Sequence, residues 1–300
     1  MESKLKRFIN VEASEKKLAI FLILPTAIAV FGILVYPLVY SFILSFTDAS
    51  LIVSDLNFVG FKNYLKAFQD PALRYSFLIT IEYVVMTVFT KLLLGIAISL
   101  AVKEKFIGRG LVRATMIIPW AVPFVVSGTI WRWMLNPNVG VINVILKKIG
   151  IIDTNIGWLS NRFFALPSVV LADVWQGTPF FIIIILAGLQ TIPEGLYEAA
   201  VVDGAGSLRK FIHITLPMIK FPIFIVTILG TVFALNQFDL FYIMTRGGPA
   251  NYTRVATLYD WQTVFKSFNT SYASAISYLI LGLTIVITII YTRILAKGEK

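Results

Sequence analysis

Six stretches of this 300-residue chain, approximately residues 18–46, 77–102, 114–133, 166–190, 221–245 and 272–295, run for about twenty residues or more with almost no charge. A hydrocarbon core about 30 Å thick is crossed by about 20 helical residues, so each stretch has the length of a membrane span. Lipid satisfies no open backbone group, and period-two alternation is missing from these stretches, which leaves helices and excludes a barrel. The composition agrees, because 58% hydrophobic and 14% charged residues with a mean hydropathy of +0.83 leave too few charges for a water-facing surface, which needs about 25%. The expected fold is all-α, a polytopic membrane protein with six transmembrane helices. One transmembrane domain is expected over residues 18–300, after a cytoplasmic segment 1–17.

The first run follows Lys4, Lys6, Arg7, Lys16 and Lys17, as the apolar part of a secretory signal would. Its 29 uncharged residues exceed a signal's apolar region of about 7–15, and no small-residue cleavage site precedes Asp48, so it is read as the first span. Lys and Arg counts set orientation. The amino-terminal segment holds five, residues 103–113 four, residues 191–220 three and the carboxyl tail three, while the other three, mostly longer, loops hold three each. Both termini and the two even-numbered loops are thereby placed in the cytoplasm of a plasma or inner membrane. The net charge of +10 follows largely from that topology. With membrane lipid as its surroundings and no soluble domain to carry a basic patch, the chain is not expected to bind nucleic acid.

Missing chemistry narrows the function. The absence of cysteine excludes disulfides, a thiol nucleophile and a Cys-ligated metal. His213 is the only histidine, too little for a His-based metal site, and its place in a cytoplasmic loop suits packing better than catalysis. No G-x-x-x-x-G-K-[ST] loop occurs, so any use of ATP needs a partner. No enzyme and no metal or other cofactor in this chain is expected.

The cytoplasmic loop at residues 191–222 is the most informative polar segment. Leu196 to Val202 is apolar and Ala-rich with Glu198 in its first turn, which suits a short helix whose amino end favours a carboxylate. The sequence Asp203-Gly204-Ala205-Gly206 ends it, glycine supplying the left-handed closing conformation. Ser207 then caps a second helix from Leu208 to Ile214, and Pro217 prepares the return into the membrane. Small side chains at Ala199, Ala200, Gly204, Ala205 and Gly206 make a thin ridge able to enter a groove.

The order Glu198-Ala199-Ala200, three residues, Gly204, nine residues, Ile214, one residue, Leu216-Pro217 resembles the EAA loop of permease subunits of binding-protein-dependent ABC importers. VGFKNYLKAFQDPALRYSF at 59–77, RGLVRATMIIPWAVPFVVSGTIWRWMLNPNVGVIN at 109–143 and FDLFYIMTRGGPANYT at 238–253 are similar to the sugar-uptake branch, which includes the maltose and glycerol-3-phosphate permeases. The resemblance implies the type I importer permease fold and a path for a mono-, di- or oligosaccharide. It also implies three kinds of partner: a second homologous permease making a heterodimer, two copies of an ATP-binding subunit where ATP and Mg would be bound and hydrolysed, and an extracytoplasmic sugar-binding protein. Glu198, Ala199, Ala200, Asp203, Gly204 and Gly206 would then form the coupling helix and its elbow, seated in the ATPase.

Polar residues inside the spans are candidates for the path. Glu82 and Lys91 share the second span, but nine residues at about 100° each put them on opposite faces. A structural ion-pair cluster of Glu82, Arg132 and Asp173 toward the outer leaflet is expected, substrate contact being the alternative, while Lys91 near the midplane faces the bundle or a partner permease. On the fifth span Asn236, Gln237 and Asp239 interrupt an apolar run beside the aromatic Phe238 and Tyr242. Planar polar groups with aromatic faces suit a hydroxyl-rich ligand, and interhelical polar contacts are the competing use. Outside, Gly247-Gly248-Pro249 signals a turn, which the resemblance places near the docked binding protein. The loop between Trp133 and Arg162 is a second surface for that partner, with Trp131, Trp133 and Trp158 as interface anchors. A permease for glycerol phosphate or another solute, and an ion-coupled carrier, remain the alternatives.

Overall fold

The computed structural model describes residues 17–52, 56–104 and 106–297, with side chains to residue 294. Lys4, Lys6, Arg7, Lys16, Lys105 and Lys300, counted above for orientation, and nearly all of segment 1–17 lie outside the described residues. In chain order the helices are α1 (Lys17–Leu44), α2 (Lys62–Gln69), α3 (Pro71–Lys103), α4 (Arg109–Ala121), α5 (Phe124–Met134), α6 (Val141–Lys148), α7 (Arg162–Gln190) and α8 (Glu194–Val202). They continue with α9 (Ser207–Met218), α10 (Lys220–Leu235), α11 (Asp239–Met244), α12 (Ala256–Phe265) and α13 (Thr270–Lys297). Among the described residues the strand-like pairing is limited to one isolated bridge, Thr47 to Phe58.

The chain divides into two compact units. One holds α1, most of α2 and residues 263–278. Most apolar side chains of α1 before Leu44 are exposed, Phe42 meeting the Tyr278 ring edge-on at 5.0 Å, which suits a helix solvated largely by lipid. Below it polar groups join the segments: the Asn63 amide donates to the carbonyls of Ser45 and Thr47 at 2.9 and 2.8 Å, Thr47 Oγ1 lies 2.8 Å from Ser271 Oγ, and the Lys66 ammonium sits 4.2 Å from the Tyr272 ring centre.

The other unit is built on α3 and α7. Asp70 starts α3, its carboxylate accepting the N–H groups of Ala72 and Leu73 at 2.9 and 3.3 Å, with Pro71 at the first helical position. At 33 residues and about 1.5 Å each, α3 is about 50 Å long and extends well beyond the expected span 77–102. Asn161 caps α7 by accepting the Phe163 N–H at 2.8 Å. Phe181 of α7 is 1% exposed because glycines admit it: a Cβ on Gly95 of α3 would stand 2.8 Å from Phe181 Cβ, and one on Gly230 of α10 2.5 Å from its ring. Small residues at helix contacts are how membrane helices gain close packing.

Four of the described helices are long and apolar enough to span unbroken, and two further spans are bent pairs. The third and fifth spans, expected as continuous helices over 114–133 and 221–245, are corrected by the structure. The α4–α5 pair bends by 96° at Val122, which is extended (ψ 127°) because Pro123 bars it from the α conformation. The α9–α10 pair bends by 65° at Ile219, where Pro222 has no N–H for the carbonyl four residues back. The helix of the fifth span ends at Leu235, and residues 236–238 leave helical geometry before α11 begins.

Candidate functional site

The helix pair of residues 194–218 begins two residues earlier than the sequence suggests, at Glu194, which is the first-turn acid in place of Glu198. Ala205 N–H closes α8 on the Ala200 carbonyl at 2.8 Å, and Gly204 has φ +74°, the left-handed conformation that favours glycine. Gly206 rather than Ser207 is the residue before α9, which runs on through Pro217 to Met218 instead of stopping at Ile214. Glu198, Ala199, Asp203, Gly204 and Gly206 are exposed and Ala200 is half-buried. Exposed Val202 (87%) and Leu208 (72%) flank the elbow. Tyr197 holds the pair in place, its hydroxyl 2.9 Å from Thr215 Oγ1 and its ring 4.1 Å from the Lys103 ammonium. His213 Nδ1 lies 3.0 Å from the Arg209 carbonyl one turn back.

Within the spans the charges pair differently from the expected cluster. Lys91 Nζ of α3 meets Asp173 Oδ2 of α7 at 2.7 Å, with both side chains buried. The Tyr83 and Thr87 hydroxyls donate to the same oxygen, each at 2.7 Å. Residues 83, 87 and 91 are spaced four apart, so α3 turns one polar stripe toward α7. Glu82, opposite that stripe, is exposed, and Arg132 donates to the Ile243 carbonyl at 3.2 Å. The Glu82–Arg132–Asp173 cluster therefore does not form, because the face that carries Lys91 is the one packed on α7.

The ion pair lines a cavity of about 380 Å³ with Gln176, Gly177, Asn236, Gln237 and the rings of Tyr83, Trp120, Phe124, Phe180, Phe181 and Phe233. Gln176 Nε2 donates at 2.6 Å to the Val122 carbonyl, which the α4–α5 break frees from helical bonding. Its other end, Oε1, is buried without a partner, and so is Gln237 Nε2. An unpaired buried amide end costs about 1–3 kcal/mol, so both ends favour a polar ligand. The Asn236 amide donates back to the Val232 carbonyl of its own helix at 2.8 Å.

Of the five expected path residues, Asn236 and Gln237 line this cavity; Phe238, Asp239 and Tyr242 do not. The break at residues 236–238 separates them, leaving Phe238 stacked on Tyr242 (centroids 5.3 Å) with Trp261 4.9 Å from Tyr242 and Asp239 in the first turn of α11. Sequence reasoning weighed Asp173 for substrate contact only as an alternative, and it missed the pairing of Asp173 with Lys91 and the cavity residues Gln176 and Trp120. The four-residue spacing of Tyr83, Thr87 and Lys91 was the available signal.

On the turn after α11, Gly247 is buried and Gly248 and Pro249 are half-buried, so the exposed surface belongs to Arg246, Ala250 and Asn251. All three have positive φ (53°, 45° and 68°). Thr253 Oγ1, 2.7 Å from both Thr245 Oγ1 and the Gly248 carbonyl, braces the turn. Two expected interface anchors point inward: Trp131 is 8% exposed against Trp175, and Trp158 Nε1 donates to Asn143 Oδ1 at 2.9 Å. Trp133 is exposed.

A family model described as binding-protein-dependent transport system inner membrane component matches residues 91–298. The chain is 36% identical over 283 residues to the trehalose/maltose transport system permease protein of Thermococcus litoralis, covering 93% of this chain and 94% of that protein. It is 34% identical over 300 residues to the sulfoquinovosyl glycerol transport system permease protein of Agrobacterium fabrum, covering 99% and 97%. A chain of a bacterial ABC transporter involved in the import of the acidic polysaccharide alginate shares its fold, with a TM-score of 0.85 at 20% identity over 97% of this chain and 99% of that one. With its helical spans, its broken helices and its fold in agreement, the chain belongs to the family of inner membrane components of binding-protein-dependent transport systems.

Proposed function

We propose that this chain is one of two permease subunits of an ABC importer and forms half of the path for a sugar. The observation that carries the reading is the cavity, where aromatic faces stand beside two buried amide ends that have no partner. Aromatic rings suit the C–H faces of a sugar, and the free amide ends suit its hydroxyls. Both relatives named above are called permeases for sugar-containing solutes, which supports the same class here.

In this reading the elbow formed by Glu198, Ala199, Ala200, Asp203, Gly204 and Gly206 docks on one of two ATP-binding subunits. ATP and Mg belong to those partners. Closure of the pair would press on α8 and α9, and α9 leads directly into α10, whose far end is followed by Asn236 and Gln237. A binding protein would deliver the sugar at the Gly247-Gly248-Pro249 turn through its exposed neighbours Arg246, Ala250 and Asn251. Both termini would lie in the cytoplasm.

The test is uptake into liposomes. Reassembled with a second permease, the ATP-binding subunits and the binding protein, the chain is expected to import labelled trehalose or maltose only with ATP, and Gln237→Ala to slow uptake about tenfold without loss of assembly. Uptake by this chain alone would make it a carrier, and import of a glycerol phosphate but no sugar would overturn the substrate class.

A further inference from the structure

We infer that this chain's path accepts an uncharged sugar and disfavours an acidic one, and that Asp173 sets the choice by cancelling the charge of Lys91. The inference rests on reading the cavity as a sugar path. Lys91 and Asp173 are the charged residues among those lining it. A lone ammonium on such a wall would draw a carboxylate, sulfonate or phosphate. With Asp173 Oδ2 2.7 Å from Nζ, an approaching anion meets attraction and repulsion from nearly the same place, and little net pull remains.

The pair is also held still. Tyr83 and Thr87 bind the same carboxylate oxygen. Gly177, one turn beyond Asp173 on α7, leaves the space in which Lys91 lies, since a Cβ there would stand 2.6 Å from both Cε and Nζ. Lys91 cannot easily turn from Asp173 to a substrate.

The polar ends on this wall that lack a partner are neutral and of both kinds, the acceptor Gln176 Oε1 and the donor Gln237 Nε2. A sugar hydroxyl donates and accepts, so hydroxyls can satisfy both. An ionised acid only accepts, and set against Gln176 Oε1 it leaves that oxygen unpaired with a like partial charge. Relatives named for trehalose/maltose and for sulfoquinovosyl glycerol show that family membership alone does not make this choice.

The experiment reads Trp120, which lines the cavity, by fluorescence in the complete transporter complex without binding protein. Trp120→Phe supplies the background. Titrated with trehalose and with digalacturonate, a disaccharide bearing two carboxylates, the complex is expected to bind trehalose at least about tenfold more tightly. Asp173→Asn, which leaves Lys91 uncancelled, should shrink that ratio about tenfold or reverse it, and Lys91→Gln combined with Asp173→Asn should restore it. Equal affinities in the unaltered complex, or a ratio that Asp173→Asn does not move, overturn the inference. If neither sugar changes the Trp120 signal, the sugar-path reading itself fails. Should Asp173→Asn not assemble, the two sugars on the unaltered complex decide the matter.

Discussion

Asp173 Oδ2 collects three donors from α3, two neutral and one charged. Removing only the charged one strands a buried carboxylate, which costs about 3–5 kcal/mol, whereas replacing both partners by apolar groups is close to neutral. Lys91→Met is therefore expected to lower stability by about that much, and Lys91→Met with Asp173→Asn, whose amide oxygen still accepts from Tyr83 and Thr87, to recover most of it, as read by denaturant unfolding of the purified chain. A double variant as unstable as the single one would show that the pair is not the unit. The sequence made Lys91 and Asp173 visible as charges in apolar runs but not as partners, because which helices touch is a property of the packed molecule. It did show that Glu82 and Lys91 face opposite ways, and once α7 packs on the Lys91 face Glu82 is turned out. Gln176 carried no such mark: a single amide in an apolar run has no spacing to give it away.

At the scale of elements, the elbow between α8 and α9 depends on Gly204, whose φ of +74° strains any residue with a side chain by about 1 kcal/mol. A Cβ there would meet nothing within 4 Å, so Gly204→Asp should leave insertion intact while placing a charged side chain on the surface proposed to dock. The expected result is normal abundance in membranes with transport, and transport-linked ATP hydrolysis, reduced at least about tenfold. Normal transport would remove the elbow from the coupling scheme. Helix existence and the Gly-broken pair α8–α9 were legible because glycine and charge punctuate an apolar sequence. Two of the breaks had a sequence cause in Pro123 and Pro222. The third, at residues 236–238, has no proline, and it is the one that parted Phe238, Asp239 and Tyr242 from the cavity.

For the whole molecule, orientation can be read without engineering away native thiols, since the chain has no cysteine. Val202→Cys, at a position 87% exposed, should react with a membrane-impermeant maleimide in inverted vesicles and not in intact spheroplasts. Asn251→Cys should do the opposite, and reversed labelling would overturn a cytoplasmic elbow. The Lys91–Asp173 contact also reaches back into the birth of the protein. The two residues lie 82 positions apart, so the ribosome delivers the ammonium of α3 well before the carboxylate of α7. An uncompensated charge at the centre of a span costs about 2.5–3.5 kcal/mol, and α3 carries that cost until α7 supplies the carboxylate.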